Sequence, residues 1–228
     1  MRRKPDGWDM TSRSDEIYTL IYNDILDCVL KPGQRLHIQE LAEKYGATLS
    51  PVREALSKLT ATELVVAIAQ KGFRVAEISL DDLYDIYRTR VAIEQIALKL
   101  SIEQGDDSWE AELLKAYHRL EQFEKKSKMD TMSEYEEWEK RHKAFTLALM
   151  SGCNLSHLLR IHEKIYTQTE RYRRMWIKAA LATQKHLAFA AKQKPIMQAA
   201  LARDTQSAQD FLSRHFEKAT TLIARYLS

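Results

Sequence analysis

Thr48, Leu49, Ser50 and Arg53 fall close together in the chain, and their types and spacing suit contact with a nucleic acid. A guanidinium can read a guanine edge or grip a phosphate, a hydroxyl can bond a phosphate or a base, and a leucine can pack on a thymine methyl. At helical spacing Leu49, Ser50, Arg53 and Ser57 share one face, while Val52, Ala55, Leu56 and Leu59 form the opposite, apolar one. The polar face is left free to meet DNA, with an ion pair to a neighbouring acid as the competing role for Arg53.

A second set of polar residues interrupts three apolar seams farther along. Leu83, Ile86, Arg90, Ile93, Ala97 and Leu100 step by three and four; so do Tyr135, Trp138, His142, Phe145 and Leu149, with Thr146 beside them, and Ala208, Phe211, His215, Ala219, Leu222 and Tyr226. A cation at a core position needs a partner, which for Arg90 is either Glu94, one turn on, or an anionic ligand. Each histidine taken alone fits a hydrogen-bonded core residue. One inward polar group on each of three helices instead predicts a shared polar cavity. His37, His118, His157, His162 and His186 read as surface or local packing residues, and the charged runs 121–128 and 134–143 as solvated helix faces and turns.

The elements that must hold these residues are mainly helical. Ser14 is placed to cap a first helix with the stripe Ile17, Ile21, Ile25 and Cys28, stopped at Lys31-Pro32-Gly33. A short second helix over 38–45 ends at Gly46, and a third starts at Thr48 or Ser50 with Pro51 tolerated in its first turn. Runs at 64–69 and 73–78 around Gln70-Lys71-Gly72 read as a hairpin, and no strand signal follows. The expected organisation is an N-terminal extension (1–13), a winged helix-turn-helix (14–78) and an antiparallel all-helical bundle (79–228).

Bulk charge does not announce DNA binding. The net charge is +3, and eleven basic residues balance eleven acidic ones through Ile78, so the argument rests on where the charges lie. No run approaches the roughly 18 apolar residues of a membrane span, and the start lacks the apolar stretch of a signal peptide, so a cytoplasmic protein is expected. Cys28 and Cys153 have no metal spacing and read as reduced thiols. An enzyme is not expected: H-E-x-x-H, a Gly-rich phosphate loop and a nucleophile elbow are all missing. The competing functions are a winged-helix adaptor for protein partners and, more remotely, a helical metalloenzyme using the scattered histidines.

Four ordered blocks resemble the GntR family of transcription regulators: Leu30-Lys31-Pro32-Gly33-Gln34-Arg35-Leu36, Leu41-Ala42-Glu43-Lys44-Tyr45-Gly46, Ser50-Pro51-Val52-Arg53-Glu54-Ala55-Leu56 and Lys71-Gly72-Phe73-Arg74-Val75. The resemblance implies a homodimer that reads a palindromic operator, with Gln39, Thr48, Ser50, Arg53, Lys71 and Gly72 at DNA-contact positions. Leu49 stands where the family usually has a basic residue, and Lys71 and Gly72 would equally suit a simple hairpin turn. The remainder is similar to the FCD effector-binding domain of the FadR subgroup, through Asp85-Ile86-Tyr87-Arg88-Thr89-Arg90-Val91-Ala92-Ile93-Glu94, Arg141-His142-Lys143-Ala144-Phe145, Arg171-Tyr172-Arg173 and Ala202-Arg203-Asp204. Many such domains hold a divalent metal with one Asp and three His beneath a carboxylate effector. Here those slots carry His142, Thr146, Gln193 and His215, so the expectation is no bound metal or other cofactor. A small carboxylate metabolite is expected to bind directly, paired by Arg90 and oriented by His142, Thr146, Gln193 and His215.

Overall fold

In the computed structural model, which describes residues 12–183 and 193–227, the first helix opens at Ser12 rather than Ser14. The Ser12 hydroxyl accepts from the Asp15 amide while the Asp15 carboxylate accepts from the Ser12 amide, so first-turn donors are satisfied and Ser14 turns inward. α1 (Arg13–Leu26) buries Ile17, Ile21 and Ile25 but stops short of Cys28, where the chain turns through a φ of +54°. Residues 1–11 and His186 lie outside the described residues.

α2 (Ile38–Lys44) and α3 (Leu49–Thr60) follow, joined through Gly46 at φ +58°, a conformation that costs glycine nothing. β2 (Val65–Ile68) and β3 (Gly72–Val75) form the expected hairpin with Val65 opposite Val75 and Ile68 opposite Gly72. They are shorter than the apolar runs. A two-residue strand, β1 (Arg35–Leu36), pairs antiparallel with β3 and gives the sheet order β1-β3-β2; two residues are too few to show alternation in a sequence. Ile17, Ile21 and Ile25 of α1 pack with Val52, Leu56 and Leu59 of α3 and with Leu64 and Val75 in one apolar core. Polar ties fix the helices on top of it. Lys58 of α3 pairs with Asp15 of α1 at 2.6 Å, and Asp24 of α1 accepts from Lys44 and from the Tyr45 hydroxyl.

A second compact unit begins at Ser79. Among its described residues every regular element is a helix: α4 (Leu80–Gln104), α5 (Asp107–Lys126), α6 (Met132–Ser151), α7 (Ser156–Ala182), α8 (Lys194–Leu201) and α9 (Thr205–Leu227). Ser79, Asp106 and Thr131 cap α4, α5 and α6 with side-chain oxygens. α4 packs on α6, α7 and α9, while α5 lies on α6 and α8 on α9.

Two seams differ from the sequence reading. On α4 the inward residues are Leu83, Tyr87, Arg90, Glu94, Ala97 and Leu98, so Glu94 is as buried as Arg90. On α9 they are Ala208, Leu212, Phe216, Ile223 and Ala224, while Leu222 and Tyr226 are exposed. Two apolar rows run side by side on α9, and spacing alone does not tell which of them faces α4. Among the described residues no helix is long and apolar enough to cross a membrane.

Candidate DNA-reading face and candidate effector pocket

Gln39, Thr48, Leu49, Ser50, Arg53, Lys71 and Gly72 are all exposed. Thr48 is the N-cap of α3 but makes no side-chain cap bond, so its hydroxyl and the unpaired first-turn amides are available to an anion such as a DNA phosphate. The Arg53 guanidinium makes no ion pair among the described residues, which removes its competing role. Ser50 reaches Glu54 at a long 3.3 Å. Leu49 is 48% exposed beside them. The wing tip combines left-handed Gln70 and Gly72 with Lys71, whose carbonyl accepts from Arg35 of β1 at 3.0 and 3.3 Å.

In the helical unit Arg90, His142, Thr146, Gln193 and His215 line one small cavity with Glu94, Phe145 and Phe216 among its other walls. The space open to the centre of a water molecule is about 20 Å³, enough for roughly one water. Arg90 enters the cavity already paired. Its Nε donates to Glu94 at 2.6 Å, one Nη donates to Thr169 at 2.7 Å, and the guanidinium lies 4.5 and 4.8 Å from the ring centres of Tyr166 and Phe216. The second Nη makes no hydrogen bond among the described residues. Glu94 also bonds His162 Nε2 at 2.9 Å. Burial opposes its ionisation, but the Arg90 charge and His162 outweigh that and hold its carboxyl down at about 2.

His142 stacks on Trp138 with ring centres 4.6 Å apart and lies 6.4 Å from His215. Burial pushes its imidazole down to about 3, further helped by Arg173, His215 and Arg90 and opposed by Glu139. It is neutral at physiological pH. Thr146 turns its hydroxyl back to the His142 carbonyl, and Gln193 Oε1 is buried with no hydrogen-bond partner among the described residues.

Comparison with known proteins identifies both units. Residues 13–75 match the model described as bacterial regulatory proteins, gntR family, and residues 85–218 match the FCD domain. The chain belongs to the GntR family. It is 35% identical over 207 residues to the HTH-type transcriptional repressor GlaR of Escherichia coli K12, covering 90% of this chain and 93% of that one. The regulator BphR of Paraburkholderia xenovorans LB400 is also 35% identical, with 89% and 82% covered. Among solved structures, E. coli McbR/YncC superposes with a TM-score of 0.73 at 22% identity, over 96% of this chain and 100% of that one, and shares the fold. As a GntR regulator with an FCD domain, the protein is a DNA-binding transcription regulator and not an enzyme.

The metal site implied by resemblance to FCD proteins is not matched by the residues present. Two imidazoles, a hydroxyl and an amide make a poor donor set for a hard or borderline divalent ion. Among the described residues no three His, Cys, Asp or Glu side chains gather to hold a metal.

Sequence reasoning about this GntR chain missed much of the polar core. Glu139, inside the run 134–143 expected to be solvated, is only 6% exposed and pairs with Arg173 at 2.5 Å. His162, expected at the surface or in local packing, is buried against Glu94. Spacing carried a signal for both. Tyr135, Glu139 and His142 share one side of α6, and His162, Tyr166, Thr169 and Arg173 step by four, three and four along α7.

Proposed function

We propose that the protein is a repressor that binds a two-fold symmetric operator as a homodimer, and that a small carboxylate entering the Arg90 cavity releases it. Repression is supported by GlaR, a relative named as a repressor and aligned over nearly the whole of both chains. A symmetric dimer follows from the reach of one recognition helix, which covers too few base pairs for specificity. The observation that carries the effector reading is the Arg90 guanidinium, buried yet with one terminal nitrogen unbonded among the described residues, in a cavity it lines. A carboxylate would take that donor, oriented by His142, Thr146, Gln193 and His215. Because the cavity holds about one water, the effector must spread its walls, and that differential fit is what would shift the protein between operator-bound and released states. No resident metal takes part in this reading, and the protein acts in the cytoplasm with its DNA.

The test is a fluorescence-anisotropy titration of operator DNA at fixed salt, with and without a panel of mono- and dicarboxylates. Release by at least one acid is expected in wild type. Failure of every acid to alter either operator affinity or melting temperature overturns the effector assignment, while loss of operator binding in Arg53→Ala tests the DNA face separately.

A further inference from the structure

The cavity presents acceptors as well as the Arg90 donor, and a hydrogen-bond relay behind it decides this. The Tyr166 hydroxyl lies 2.8 Å from Glu139 Oε1 and 2.9 Å from His142 Nδ1. Arg173 grips the same Glu139 carboxylate, and Tyr135 donates to its other oxygen at 2.9 Å. Burial resists ionisation of Glu139, but the Arg173 charge overrides it and keeps the carboxylate ionised, so it accepts and cannot donate. Tyr166 has a single proton, and that proton must go to Glu139. Its oxygen is then an acceptor, and the contact with His142 is a bond only when Nδ1 carries the ring proton.

A neutral ring protonated at Nδ1 has a lone pair at Nε2. No hydrogen bond reaches Nε2 among the described residues, and His142 lines the cavity. Gln193 adds a second acceptor there, because its Oε1 is buried without a donor among the described residues. The Glu94 carboxylate is a third wall of the same sign. A plain carboxylate would satisfy Arg90 and leave these acceptors facing its carbon chain, at the cost of unpaired buried polar groups.

We propose that Tyr166 and Glu139 are positioning residues that lock His142 in its Nδ1–H tautomer, and that the effector is accordingly an acid bearing its own hydrogen-bond donor, a hydroxyl or ammonium group, for His142 Nε2. The ligand half rests on the reading of this cavity as the effector site; the tautomer half does not.

Two measurements on the full-length protein test the two halves. The first is a long-range ¹H–¹⁵N correlation spectrum with ¹⁵N-histidine at pH 7, the His142 signals being assigned by their loss in His142→Gln. A neutral ring protonated at Nδ1 is expected, shifting toward the Nε2–H form in Tyr166→Phe. An Nε2–H ring or an imidazolium in wild type overturns the relay. The second is calorimetry with matched acids: propionate, lactate and alanine, then succinate, malate and aspartate. At least one hydroxy or amino acid should bind about tenfold or more tighter than its bare counterpart, and Tyr166→Phe should narrow that gap while leaving operator affinity intact. The hydroxy and amino members separate the two kinds of donor. Equal affinity within both sets overturns the ligand half. Binding of none overturns the effector reading along with it, and the spectrum still decides the relay. Should Tyr166→Phe fail to fold, the wild-type spectrum and the matched acids remain decisive.

Discussion

Arg53 and Arg90 illustrate two fates of an arginine whose sequence context looks alike, a cation on an otherwise patterned helix. Arg53 is exposed and makes no ion pair among the described residues, so Arg53→Ala should leave stability unchanged and weaken operator binding by about 1–3 kcal/mol, the scale of a lost bidentate base contact. Equal operator affinity of variant and wild type at one salt concentration would remove it from the interface. Arg90 is 2% exposed and neutralises Glu94, so Arg90→Met strands a buried carboxylate and should cost about 3–5 kcal/mol in chemical denaturation, besides abolishing the effector response. Adding Glu94→Gln should recover much of that stability without restoring the response. A double variant that still released operator on addition of acid would reduce Arg90 to a structural role. His142 supplies a pH test. Its folded pKa lies near 3 against 6.5 for an ordinary histidine, so between those values the unfolded chain holds a proton that the folded chain lacks. Stability is therefore lost as pH falls below about 6.5, with a slope approaching about 1.4 kcal/mol per unit. Glu94, held at about 2 against 4.5, adds its own loss below pH 4.5. His142→Gln should remove this slope from urea midpoints between pH 6.5 and about 3, leaving below pH 4.5 the loss that Glu94 contributes.

At the scale of elements, the helix-turn-helix was legible because its punctuation is strong. Gly46 and Gly72 mark turns with left-handed backbone, Pro51 sits in the first turn of α3, and the buried face Val52, Ala55, Leu56 and Leu59 is set by spacing alone. Gly46 permits a clean check. A Cβ there would meet nothing within 4 Å, so Gly46→Ala should pay only for the left-handed φ, about 1–2 kcal/mol, and Gly46→Asn less. A loss well above that range in thermal unfolding would mean the turn is held by contacts and not by backbone conformation. The long helices were harder to read. α6 and α7 carry ionic groups inward, and spacing places Glu139 and His162 on those inward sides, but their partners Arg173 and Glu94 come from distant positions in the chain. Which groups pair across the helices is a tertiary fact that spacing does not give. The strand β1 was missed for a similar reason, since its two residues become a strand only by pairing with β3.

The whole molecule divides after Ile78 into two units with separate apolar cores, and that division has a thermodynamic consequence. Units with their own cores need not melt together, so a single two-state description should fail and calorimetry should resolve two transitions. Each proposed ligand then has a unit of its own to stabilise. A carboxylate bound in the Arg90 cavity should raise only the transition of the helical unit, by about 2.7 kcal/mol at a hundredfold excess over its dissociation constant. Operator DNA should raise the transition of the winged unit instead. Truncation gives the assignment: residues 79–228 alone should keep the acid-sensitive transition and lose the DNA-sensitive one. An acid that raised the winged-unit transition, or one that had no effect on the isolated helical unit while releasing operator from the full chain, would place the effector site outside the cavity described by Arg90, His142, Thr146, Gln193 and His215.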